Sequence, residues 1–139
     1  MLWEQQGPIL FLKPKGWVVE REEDEEGWRL TLQSPGTAFL LLTGLGDGMD
    51  PAEAAEATLD SLQQDYPELE STPVEETLAG LPASGFEVEF AYLDIYHRCK
   101  ILCVNTQEGV LLSLWQLSDI DDDDYEDAIN ELVQGIRLA

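Results

Sequence analysis

Basic residues are what this sequence lacks most. Its 139 residues include 7 Lys plus Arg against 29 Asp plus Glu, a formal charge of −22. Between Arg29 and Arg98 there is no Lys or Arg, while thirteen acidic residues fall there. Such a surface repels polyanions, so nucleic acid and anionic membrane are excluded as partners, and a cationic protein, a metal cation or a saline solvent is favoured. Histidine is almost missing: His97 stands alone, which rules out a His-based metal cage and a second imidazole base. Cysteine is confined to Cys99 and Cys103. On one strand they lie about 13 Å apart at ~3.3 Å per residue, beyond the ~7 Å that a disulfide tolerates. They read as two small buried thiols on one strand face. Long apolar runs are absent as well. No stretch approaches the ~18 residues of a membrane span. Residues 1–16 offer only Ile9, Leu10, Phe11 and Leu12, preceded by Glu4, which is short of a secretion signal. The expected setting is a soluble, reducing compartment, the cytoplasm of a bacterial cell.

What is present is an ordinary core. Hydrophobic residues make up 44% and aromatics 9%, too many for a disordered acidic tail. The length fits one domain over 1–139, with 1–15 as an N-terminal arm or edge strand. A chain of this size buries roughly two-thirds of its unfolded surface. The acids are therefore expected to coat a conventional body.

Alternation of apolar and polar residues predicts a hairpin, with Trp17, Val18 and Val19 in one arm and Trp28, Leu30 and Leu32 in the other. Glu22 to Gly27 is read as its solvated polar turn. After Ser34-Pro35-Gly36, Phe39 to Thr43 is apolar on both faces, as in a strand covered on two sides. Gly44, Gly46 and Gly48 read as a flexible strand-to-helix connection. They lack the Lys and Ser/Thr of a phosphate loop, and Asp47 and Asp50 would repel phosphate. Asp50 as N-cap, Pro51 at the first position and Glu53 at the third predict a helix to about Tyr66. Its inward stripe is Ala52, Ala55, Leu59, Leu62 and Tyr66. Glu53, Glu56 and Asp60 lie outward without cationic partners.

Thr72 to Leu78 predicts a further strand, and Ala79 to Pro82 a turn or bulge. Phe86–Tyr92, Tyr96–Val104 and Val110–Leu117 predict an antiparallel meander with a turn or bend at Asp94. A closing helix is expected from about Asp121 to Gly135, with Tyr125, Ile129, Leu132, Val133 and Ile136 inward. The fold class is α+β: an antiparallel sheet of about six to seven strands flanked by two helices.

Candidate chemistry is sparse. Seven of the nine residues from Asp119 to Asp127 are acidic, and calcium favours such oxygen-rich clusters. A calcium loop, however, needs Gly at its sixth position and Glu at its twelfth. Counted from Asp119, those places hold Asp124 and Asn130. The cluster sits at a helix start, where acids cap free N–H groups and complement the dipole. His97 and Cys99 share a strand face but stand about 6.6 Å apart along it, too far for a thiol–imidazole pair. No serine lies in a nucleophile elbow. The expectation is a protein without enzymatic activity, cofactor or resident metal.

The punctuation of the chain carries a resemblance. Leu30-Thr31-Leu32-Gln33-Ser34-Pro35-Gly36 precedes the third strand, and the Pro51–Tyr66 helix follows it. Leu78-Ala79-Gly80-Leu81-Pro82-Ala83 opens the long strands. Tyr125 and Ile136-Arg137-Leu138 mark the closing helix. Over residues 17–138 this order resembles the PsbP/Mog-type fold, which includes the DcrB-like proteins. The resemblance implies an α/β/α sandwich and a binding module without catalytic residues. It carries over no functional residue set. The lack of a lipobox cysteine and the greater acidity depart from many members and argue against an envelope or thylakoid role.

The function expected is docking of a basic protein partner by a monomer or weak homodimer. The contact residues expected are Glu53, Glu56 and Asp60 on the first helix and Asp121, Asp122, Asp123 and Asp124 at the second. Rival readings are an acidic secretion chaperone or toxin-neutralising (immunity) protein, and a weak divalent-cation-binding protein or enzyme using Asp119–Asp127. The chaperone form has fewer than the four strands counted here between its helices. A saline habitat alone would also account for the charge.

Overall fold

A computed structural model describes residues 3–25, 27–46, 48–121 and 123–139, with residues 123 and 124 described by backbone alone. The strands are β1 (Trp3–Gln6), β2 (Ile9–Leu12), β3 (Val18–Asp24), β4 (Gly27–Gln33), β5 (Phe39–Gly46), β6 (Glu70–Leu78), β7 (Leu81–Tyr92), β8 (Ile95–Thr106), β9 (Gly109–Ser118) and β10 (Arg137–Leu138). Helix α1 (Pro51–Asp65) follows β5, and α2 (Asp123–Gln134) follows β9. The main sheet has seven strands in the order β3-β4-β5-β9-β8-β7-β6, and a smaller sheet has the order β1-β2-β10. Every described pairing is antiparallel. The α+β class, the seven strands and the meander β7–β8–β9 are as the alternation predicts.

Period-2 alternation divides the apolar residues between the two faces of the main sheet. Cys99, Ile101 and Cys103 of β8 join Val88, Phe90, Val110, Leu112 and Leu114 on the face that α1 covers with Ala54 and Ala55. Leu102 and Val104 point the other way. There, Leu30, Leu32, Leu40, Leu42, Trp115 and Leu117 pack with Ile129, Leu132 and Ile136 from α2 and its exit, and with Ile9 and Phe11 of β2. The two helices thus lie on opposite faces, and the small sheet shares the α2 side.

Several local expectations are corrected. Of the arm or edge strand expected for residues 1–15, residues 3–12 form a hairpin of the small sheet, with β1 at its edge and Ile9 and Phe11 of β2 fully buried. Pairing of β3 with β4 runs through to Asp24↔Gly27, so Glu22, Glu23 and Asp24 are strand residues rather than a turn. An edge strand accepts this many charges because much of it faces water. Glu26 lies outside the described residues. Strand β5 continues to Gly46 through an irregularity between Gly44 and Gly46, because β9 keeps pairing with it. Asp47 is outside the described residues. Leu81 and Pro82 belong to β7, and the turn is Ala79-Gly80. Asp50 occupies the N-cap position but makes no side-chain cap hydrogen bond, and its carbonyl accepts from the Ala54 N–H at 2.9 Å. In α1, Ala52 is exposed and Ala54 buried, one step round the helix from the expected stripe. Leu59, Leu62 and Tyr66 are partly buried against the sheet, as expected.

Both edges of the main sheet are defended. Strand β3 carries Glu20, Arg21, Glu22, Glu23 and Asp24, and β6 carries Glu70, Glu75, Glu76 and Pro73. Charge and proline along an edge disfavour strand addition.

Gly85 in β7 sits where a Cβ would fall on the carbonyl oxygen of Ile101 in β8. Backbone cannot step aside as a side-chain tip can. Gly85→Ala is expected to cost about 3 kcal/mol or more, above the usual overpacking range. A fall in the urea midpoint measures it, and an unchanged midpoint would contradict this packing.

Candidate functional site

The sequence nominates two acidic patches, and the structure keeps them apart. Glu53, Glu56 and Asp60 are exposed on the outer face of α1. Among the described residues none of the three takes part in an ion pair. The second patch lies at the start of α2, on the opposite face of the sheet. They cannot form one surface.

Within the second patch Asp121 is occupied internally. Its Oδ1 accepts the Thr37 N–H at 2.9 Å. Its Oδ2 accepts the Thr37 hydroxyl in a short hydrogen bond and the Ser118 N–H at 3.3 Å. The two hydroxyls of Thr37 and Ser118 are 2.7 Å apart. Asp121 therefore latches the β4–β5 turn to the end of β9, just before α2 begins. Asp122 and the side chains of Asp123 and Asp124 lie outside the described residues. Further along, Glu126 pairs with Arg98 at 2.8 Å. The hydrogen bond from Arg98 holds the Glu126 carboxyl below the usual range, and Glu126 in turn raises the guanidinium. A hollow of about 240 Å³ lies beside this pair, bounded by Tyr96, Asp119 and Asp121 among others. Among the described residues no group of three or more His, Cys, Asp or Glu is arranged to hold a metal ion.

Both cysteines are free and buried, and burial pushes each thiol up to about 12. Neither is a nucleophile at neutral pH, since the thiolate is the reactive form. His97 shares the face of Cys99 but is engaged elsewhere. Its ring stacks on Phe90 with centroids 5.0 Å apart, and its Nδ1 is 3.4 Å from Gln116 Nε2.

A cluster that sequence reasoning passed over lies at the β7–β8 hairpin. Tyr66, at the exit of α1, stacks on Phe90 at 4.1 Å and meets Tyr92 edge-on at 5.5 Å. Beyond it the chain turns through Leu93 and Asp94. The legible signal was Tyr92-Leu93-Asp94-Ile95-Tyr96, a turn with apolar residues where glycine or asparagine is usual. On the other face of the hairpin Tyr96 bonds Glu89, which raises its phenol.

These elements define an α+β protein with one helix on each face of an antiparallel sheet. No family model matches the sequence. No curated protein is detectably similar to it. Solved structures do resemble it. LpqN, involved in cell envelope biogenesis of Mycobacterium tuberculosis, aligns with a TM-score of 0.56 at 15% identity, over 94% of this chain and 83% of LpqN. A Bacteroides thetaiotaomicron protein aligns with a TM-score of 0.54 at 8% identity, over 94% of this chain and 45% of its own length. At these identities the likeness is one of fold. Among the described residues no helix is long and apolar enough to cross a membrane.

Two outcomes are expected here. Asp121→Ala should lower stability by about 1–3 kcal/mol, the range for hydrogen bonds to a charged acceptor. Combined with Thr37→Val in a double-mutant cycle, the two losses should be strongly non-additive. Additive losses would mean that the latch is not a unit. Separately, a disulfide reagent at pH 8 should modify neither thiol in the native protein and both in guanidinium. Because folding raises the thiols above their ordinary value of 9.0, the folded state holds protons that the unfolded state releases. Stability should therefore fall as pH rises from about 9 towards 12.

Proposed function

We propose that this chain is a non-enzymatic protein-binding module that docks a basic partner through its acidic surface. One observation carries the reading: Glu53, Glu56 and Asp60 form an exposed stripe on α1 and take part in no described ion pair. Like charges at spacings of three and four residues cost a helix a few tenths of a kcal/mol each. Glu53, in the first turn, complements the helix dipole, whereas Glu56 and Asp60 lie beyond that turn with no ion-pair partner among the described residues. Asp121, in contrast, is committed to Thr37 and Ser118. The docking role of Asp121 is thereby reduced, and so is its use in an ion or catalytic site.

A PsbP/Mog-type scaffold, cytoplasmic and either a monomer or a weak homodimer, is part of this proposal. The envelope role printed for LpqN belongs to that protein. Four strands, β6 to β9, separate α1 from α2. That count favours the docking module over the secretion-chaperone form.

The test is binding of a purified basic partner, recovered by cross-linking and identified by mass. The triple variant Glu53→Lys, Glu56→Lys, Asp60→Lys should weaken Kd at least tenfold, chiefly through the association rate and most strongly at low salt. Its urea midpoint should be unchanged or higher. A partner held with the same Kd by this variant would remove α1 from the interface. A triple variant that is less stable in high salt than the parent but binds equally would point to a saline-habitat surface.

A further inference from the structure

We propose that the β7–β8 hairpin tip is an apolar anchor that seats on a partner segment whose aliphatic or aromatic residues are flanked by Lys or Arg. The inference deepens the docking reading above and rests on it.

The tip is built in a way that folding alone does not favour. Tyr92 pairs with Ile95, so the loop is two residues long. Both of them have positive φ, 53° at Leu93 and 63° at Asp94. This is the backbone of a type I′ turn, whose preferred residues are Asn-Gly or Asp-Gly. A leucine there pays a steric penalty that asparagine or glycine largely avoids. Leu93 is also 78% exposed, so it recovers little by burial. Strain together with an exposed large apolar side chain is a pattern found where the chain meets something else.

Its neighbours extend the apolar surface and hold it rigid. Tyr92 is 51% exposed on one face of the hairpin and Tyr96 41% on the other, so the apolar surface wraps around the tip. Ile120 is 64% exposed and follows Asp119, whose N–H donates to the Tyr96 carbonyl at 2.9 Å. Beneath the tip, Tyr92 rests edge-on against Tyr66, which stacks on Phe90, which stacks on His97. Aromatic residues fixed in this way offer contact area with little ordering left to lose on binding.

Charge selects the occupant. Asp94 lies in the turn itself. Glu89 and Glu70, paired across β7 and β6, both act on Tyr96. Asp65 ends α1 beside Tyr66, and Asp119 follows β9. Arg98, on the same end of β8, is already bound to Glu126. An apolar centre with an acidic rim is complementary to an apolar segment with basic flanks. A second copy of a chain with net charge −22 is repelled.

The experiment uses the full chain and two fluorescein-labelled 14-residue peptides of equal positive charge. One has Leu and Trp between its lysines, and the other has Ser in those places. The parent protein should bind the first at least tenfold more tightly in fluorescence anisotropy. Leu93→Asn suits the αL backbone, so its urea midpoint should equal or exceed the parent's. Its Kd for the Leu/Trp peptide should rise at least tenfold, with the Ser peptide unchanged. Amide shifts on titration should centre on residues 92–96. Equal affinity for the two peptides, a Kd within twofold of the parent in Leu93→Asn, or a dimer that dissociates on Leu93→Asn would each overturn the proposal. If both peptides bind equally and weaken with the α1 charge reversal, the anchor fails and acidic docking stands. If neither peptide binds, both fall.

Discussion

Strand β9 must be hidden on both sides, and the rest of the molecule is arranged to do this. Its sequence, Gly109-Val110-Leu111-Leu112-Ser113-Leu114-Trp115-Gln116-Leu117-Ser118, is buried at almost every position. An amphipathic strand needs one cover, whereas this one needs two. Helix α1 supplies cover on the side of Leu112 and Leu114. On the side of Leu111, Trp115 and Leu117, α2 and the small sheet supply it together. Strand β5, and β8 from Ile101 to Val104, flank β9 and are apolar on both faces for the same reason. Strands β5 and β9 carry no charged residue and β8 carries no acid, so the acids fall on β1, β3, β6 and β7, in the connections and on the helices.

The few cations are spent where that confinement is most costly. Arg98 ties β8 to α2 through Glu126, and Lys100 ties β8 to β6 through Glu76 at 2.6 Å, with Glu87 at 3.7 Å. Exposed pairs of this kind are worth about 0–1 kcal/mol. They relieve local repulsion without setting the fold. Hydrophobic burial, roughly 25 cal/mol per Å² of apolar surface, is what holds the body against its own charge. Asp121 shows an acid used differently, as a satisfied acceptor that locks a turn. Counting carboxylates therefore overstates the acidic surface available to a partner.

Surface and strain come together at one end of the sheet. The outward face of α1 leads along the helix to Tyr66, and Tyr66 supports the hairpin that presents Leu93. A steering field and an apolar contact are separate needs of association, the first governing encounter and the second persistence. Here the α1 stripe suits the former and the hairpin tip the latter. Both edges of the main sheet carry charge or proline, which disfavours strand addition, and the proposed docking uses side chains instead.

Much of the body was legible beforehand because period-2 and period-3.6 patterns report burial directly. Alternation in Phe86–Tyr92, Tyr96–Val104 and Val110–Leu117 identified the meander, and Asp50 with Pro51 marked the start of α1. The chain order of the seven main-sheet strands and the two helices, and the sign of the surface, were likewise properties of the sequence alone. Local patterns carried no information on which elements meet. They left Ile9 and Phe11 in an arm or edge strand, because their cover comes from β10 and α2 at the far end of the chain. They read Asp121 as a helix-start acid and contact residue and not as a latch, because Thr37 lies 84 residues away. They gave no relation between Glu53 and Asp121, which the sheet separates by standing between α1 and α2. They passed over Leu93, whose exposure depends on a register set by pairing β7 with β8. Composition and periodicity decide what must be buried. Which partner buries it, and which side chain is left outside, is decided only when distant segments close on the two faces of β9.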